Sequence, residues 1–148
     1  MTVFERIALM PRSLIQLDPR HYAICLVDEA SYYDLPFSAL CVLSQRGNML
    51  SLVVEKTLAQ AAGLICHQEW ACIKVADEAR TRAGRHRWPC QATLLTCLLA
   101  AGLNSQMIAG YGYGLYLVLW QHRHDAQSIL QGCLSGLHRG RRLLSRAA

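Results

Sequence analysis

Apolar positions recur along this chain with two different periods, and the change from one to the other marks out its elements. Short runs rich in Val, Ile, Leu, Tyr and Cys predict strands over residues 13–17, 22–27, 38–44, 49–55, 69–75, 105–110 and 115–120. The run Tyr22-Ala23-Ile24-Cys25-Leu26-Val27 is apolar nearly throughout, as a strand covered on both faces would be. Asp18-Pro19 is a turn pair between the first two strands. Arg46-Gly47-Asn48 suits a tight antiparallel hairpin, because Gly and Asn both tolerate positive φ. Acids, two tyrosines and a proline over residues 28–36 predict a loop.

Helical spacing replaces this pattern in three places. Leu94, Leu95, Leu98 and Leu99 form one face of a helix over 92–101, with Pro89 suited to its first turn and Gly102 to the position just past its last. A short helix of good formers is expected over 57–62, ended by Gly63. Ala126, Ile129, Leu130, Cys133 and Leu134 share one side of a final helix over 124–137. Residues 77–87 form a charged connector, and Gly110-Tyr111-Gly112-Tyr113-Gly114 interrupts the two strands around it.

The order of elements divides the chain into halves at 12–68 and 69–137, followed by a basic, flexible tail at 138–148. The later half reads β-α-β-β-α, one strand short of the split βαβ pattern, with both of its helices on one face. A spare strand at the start of the earlier half could complete the later half's sheet. The expected fold is α+β: two intertwined ferredoxin-like (βαββαβ) subdomains, antiparallel sheets with helices on one face.

Composition narrows the functional classes. The chain has 148 residues, 53% hydrophobic and 17% charged, which suits a core-forming domain. No apolar stretch approaches the roughly 20 residues needed to span a bilayer, and the first residues do not resemble a signal peptide. Seven cysteines without paired spacing read as small buried hydrophobes in a reducing compartment, hence a cytoplasmic protein. The net charge of +5 is local: Arg80, Arg82, Arg85 and Arg87 lie in the connector and Arg139, Arg141, Arg142 and Arg146 in the tail. Taking those eight charges from +5 leaves −3, so no basic groove for nucleic acid is expected. His122, His124 and His138 lack a metal-binding pattern. Cys66 and His67 are sequence neighbours without a third orienting group, and the glycine run lacks the Lys-Ser/Thr ending of a phosphate loop. Neither an enzyme nor a cofactor is indicated.

The segments LIQLDPRHYAICLV, FSALCVLS, MLSLVVE, EWACIKV, ATLLTCLLAAGLNSQMIAGYGYGLYLVL and DAQSILQGCL resemble the small bacterial tandem ACT-domain proteins. Their relatives include amino-acid sensors and the regulatory tails of aspartate kinases. The resemblance covers about residues 12–134. It implies a non-catalytic regulatory module that binds a small ligand, usually an amino acid, at a domain or subunit interface, and that works as a homodimer. Such relatives carry Thr-Arg-Thr with an acidic pair in the first hairpin, where this chain has Leu40-Cys41-Val42 and Arg46-Gly47-Asn48. In the second hairpin they carry Ser-Thr and Thr-Asp, where this chain has residues 109–114, so the acid that would hold a cationic ligand is absent. An uncharged amino acid or small carboxylate fits what remains. Its expected contacts are Cys90, Gln91, Ala92 and Thr93 at a helix N-terminus, with Ala109, Tyr111, Gly112 and Tyr113 across a cleft. The alternative is a protein–protein assembly module of the same fold without a ligand.

Overall fold

The computed structural model describes residues 15–76, 91–110 and 112–146, with side chains as far as Leu134. Positions 13–14, the connector at 77–87, Pro89 and the arginine side chains of the tail fall outside these residues.

Seven strands form: β1 (Ile15–Leu17), β2 (Tyr22–Asp28), β3 (Cys41–Arg46), β4 (Met49–Glu55), β5 (Trp70–Ala76), β6 (Ser105–Gly110) and β7 (Tyr113–Leu119). The helices are α1 (Glu29–Tyr33), α2 (Lys56–Ala61), α3 (Gln91–Ala100) and α4 (Arg123–Arg146), with a 3-10 turn at Trp120–His122 leading into α4. Every strand pairing is antiparallel. Two sheets were expected, but hydrogen bonding joins all the strands into one, in the order β3-β4-β2-β5-β7-β6, with β1 also beside β5.

The junction explains the merger. β7 occupies one edge of β5 along its whole length, so β1 and β2 share the other edge. Ile15 and Leu17 face Val75 and Ile73, the Asp18 N–H donates to the Cys72 carbonyl at 2.9 Å, and Tyr22 faces Trp70. Past that point β2 leaves β5, while all seven of its residues run beside β4. One interrupted strand thus belongs to both halves, and the leading strand does join the later half's sheet.

Side chains on one sheet face meet the helices. Ala71, Ile73, Val75, Tyr116 and Val118 pack under Leu94 and Leu98 of α3 and Ala126 and Leu130 of α4. Ala23, Cys25, Leu52 and Val54 are covered by α2 and by Leu35, Phe37 and Leu64 from the adjoining segments. The Cys25 and Cys66 thiols touch there at 3.7 Å. Burial, with the Cys66 thiol beside it, pushes the Cys25 thiol up to about 12. The opposite face carries no helix, yet Tyr22, Val53, Trp70, Cys72 and Leu117 are buried on it. Leu40 and Cys41, at the β3 end of the strand order, reach the neighbourhood of Leu115 on β7. The sheet therefore curls, and the helix-free surfaces of the two halves cover one another.

Four boundaries differ from expectation. The segment 28–36 is not all loop, because Asp28 caps α1: its carboxylate accepts from the Ser31 N–H and hydroxyl, both at 2.8 Å. β3 starts at Cys41 instead of 38 and carries a bulge between Val42 and Ser44. β7 starts at Tyr113 because Gly110 and Gly114 lie in strands, not in the turn. α4 continues to Arg146, through the stretch expected to be tail.

Candidate functional site

The β6–β7 hairpin separates the residues expected to share a cleft. Gly110 pairs with Tyr113, and Gly112, between these paired ends, has φ +79°. Alternation then sends neighbouring side chains to opposite faces. Tyr113 points to the helix-free face, where its ring lies across Gly110 so closely that a Cβ there would overlap it. The Lys74 ammonium sits 4.6 Å from the centre of the same ring, a cation–π contact. On the helical face, Gly114 leaves room for the Gln91 side chain, which a Cβ would also overlap. The Tyr116 hydroxyl donates to the Gln91 backbone carbonyl at 3.0 Å and bonds its side-chain oxygen as well. Gln91 is thus fastened beneath the sheet, with Ala92 and Thr93 exposed beside it on the first turn of α3. Ala109 pairs with Gly114 on that same side. Cys90 and Tyr111 lie outside the described residues. A Cβ at Gly112 would meet nothing within 4 Å, so the close approaches are at Gly110 and Gly114 instead.

Tyr113 lines a cleft of about 700 Å³ on the helix-free face, and among the described residues it is the one expected residue to do so. The cleft opens where β1 gives way to β2, and Leu40 closes it from the earlier half. Pro19 restricts the short link between the strands, and Asp18 folds back over it. The Asp18 carboxylate accepts from the Arg20 N–H at 2.9 Å, from Arg20 Nε at 3.0 Å and Nη2 at 2.8 Å, and from the Tyr22 hydroxyl at 2.7 Å. Bonding to Arg20 holds the Asp18 carboxyl down at about 2. Burial, helped by Asp18, pushes the Tyr22 hydroxyl well above the usual phenol value. Cys72 lies in the cleft with its thiol pushed up to about 12 by burial, so at neutral pH it is an inert wall. Lys74 is exposed, and among the described residues no carboxylate lies within ion-pair distance of it. Arg20 cancels Asp18, so among the described residues the uncompensated charge in the cleft is the Lys74 ammonium.

Sequence reasoning missed Arg20, Lys74 and the cleft itself. One signal was present: Lys74 is the lone charged residue in Trp70–Ala76, and alternation places it on the face of Cys72. What could not be read was that Leu40 would fold over that face from 34 positions earlier.

A second cluster fastens the two halves together. The Glu69 carboxylate bonds the Lys56 ammonium and His21 Nδ1, the latter at 2.9 Å. His21 stacks on Trp120 with 3.5 Å between ring centres, and the Arg123 guanidinium lies 4.2 Å from the Trp120 ring centre. Lys56 N–H donates to the His21 carbonyl and Trp120 N–H to the Glu69 carbonyl, at 2.8 and 2.9 Å. The starts of β2, α2 and β5 and the end of β7 therefore meet here. Among the described residues no three metal-binding side chains come together, and the His138 side chain lies outside them. No helix among the described residues is long and apolar enough to cross a membrane.

No family model and no curated relative matches the chain. Solved structures do. A protein of unknown function from Vibrio cholerae, described as a possible transport protein, is 21% identical, with a TM-score of 0.64 over 90% of this chain and 99% of its own. The regulatory subunit of aspartate kinase from Thermus flavus is 16% identical, with a TM-score of 0.56 over 79% of this chain and 94% of its own. That from Thermus thermophilus, in a ligand-free form, is 14% identical, with a TM-score of 0.56 over 79% and 93%. The chain is a mixed α+β protein with the ACT-like fold of these regulatory subunits.

Proposed function

We propose that this chain is a non-catalytic, cytoplasmic regulatory module that binds a small ligand, an uncharged amino acid or small carboxylate, at the interface of its two halves. The halves read as two intertwined ferredoxin-like units that exchange the β1–β2 strand. The observation that carries the proposal is the cleft at that exchange: it has contributions from both halves, a Lys74 ammonium with no carboxylate partner among the described residues, and the Tyr113 ring. Its volume falls in the range of small-ligand pockets. A ligand bridging the halves would stabilise one relative arrangement of them, which is what a regulatory module must do. The likeness in fold to regulatory subunits supports the same reading.

Thermal-shift screening against amino acids and small carboxylates tests it. A ligand at a hundredfold excess over its Kd stabilises by about 2.7 kcal/mol, whereas a ligand-free assembly module gives no selective shift. That second reading is favoured by β3 and β6, which end the strand order, and by Leu26, 64% exposed on β2. We place a homodimer contact on such an edge. Light scattering should return twice the chain mass; a monomer mass at all micromolar concentrations would exclude it.

A further inference from the structure

The acceptors in the cleft distinguish between the two ligand classes of the proposed function. An α-amino acid brings a carboxylate and an ammonium together, and each needs a partner once water is displaced. Lys74 supplies one for the carboxylate. Among the described residues that line the cleft, Asp18 is the one carboxylate for the ammonium, and both of its oxygens are taken: Oδ1 accepts from the Arg20 N–H and Nε, and Oδ2 from Arg20 Nη2 and the Tyr22 hydroxyl. Gln16 offers a neutral amide only. The Lys74 ammonium would moreover repel a second cation placed beside it.

We infer that the cleft takes a small carboxylate without an ammonium group, a simple or α-keto acid, with its carboxylate on Lys74 and its apolar chain along Tyr113, Leu115 and Leu40. This inference rests on the reading of the cleft as a ligand site. It assigns Lys74 as the anion-binding residue, Tyr113 as the wall for the chain, and the Asp18–Arg20 pair as the element that rejects amino acids. Lys74 over the Tyr113 ring is already held at one side of the cleft, so little ordering remains when the anion arrives.

Calorimetric titration of the full chain with matched pairs tests it: isocaproate and ketoisocaproate against leucine, hydrocinnamate and phenylpyruvate against phenylalanine. At least one acid is expected to bind about tenfold or more tightly than its amino acid, as expected when a buried charge goes unpaired. Lys74→Met should weaken that acid by about tenfold or more, and Lys74→Arg should recover most of the loss. Arg20→Ala releases the Asp18 carboxylate and should narrow or reverse the preference, with circular dichroism confirming that each variant is folded. Tighter binding of the amino acids would overturn the assigned class while leaving a ligand-binding module intact. Unchanged acid binding in folded Lys74→Met would overturn the assigned site. If neither member of any pair binds, both the inference and the reading beneath it fail.

Discussion

Asp18 shows how much a single side chain can organise. It terminates β1, bonds Arg20 and Tyr22, and holds the link at which the shared strand changes partners. Its carboxyl lies at about 2, below the ordinary 3.8, so its stabilising effect is complete above 3.8 and is lost as the pH falls through 2. Asp18→Asn should therefore lower stability at neutral pH, and the gap from the parent chain should close between those two values; urea unfolding across that range measures it. The glycines make a second test. Gly114→Ala puts a methyl where the Gln91 amide lies, so that amide must swing off the buried Tyr116 hydroxyl, and the lost bond should cost about 1–2 kcal/mol. Gly112→Asn enters open space in a conformation that Asn tolerates and should cost under about 1 kcal/mol. Equal losses in denaturant titrations would contradict these assignments. The importance of the glycine run was visible in the sequence. Which glycines are packed and which one turns was not, because that depends on the partners Tyr113 and Gln91 find across strands.

At the level of elements, β2, β4, β5, β6, α2 and α3 lie within two residues of the expectation drawn from apolar spacing. In β2, β4 and β5 the apolar run is continuous because both faces are buried, and in α3 one buried stripe sets the spacing. The spacing failed where another interaction decided the structure. A side-chain cap made α1 out of an apparent loop, and α4 continued beyond its apolar stripe. β1 is only three residues long and gains its order from β5, so its sequence could suggest an exchanged strand but not its register. Ile15 is buried on it, under α4 and against β5. Ile15→Ala should destabilise by about 2–4 kcal/mol. If the exchanged strand makes the halves one cooperative unit, unfolding should remain a single transition by both circular dichroism and tryptophan fluorescence. Two separated transitions would show that the halves unfold independently.

For the molecule as a whole, the curled sheet is the feature least legible beforehand. One face of the sheet carries no helix, and the curl folds that face onto itself, so that its early and late strands cover one another. The cleft is the part of that shared surface which stays open, bordered by Leu40 from one half and Lys74 and Tyr113 from the other. The sequence comparison led to a helix N-terminus and a turn, but Gln91 and Tyr113 lie on opposite sides of the sheet, and a ligand in the cleft meets only the second. Amide chemical-shift mapping during titration with a ligand returned by the screen tests this most directly. The account predicts saturable shifts centred on Arg20, Tyr22, Cys72, Lys74, Tyr113 and Leu115, while Ala92, Thr93 and Ala109 stay in place. Shifts centred instead on Gln91, Ala92 and Thr93, or no saturable shifts at all, would contradict it.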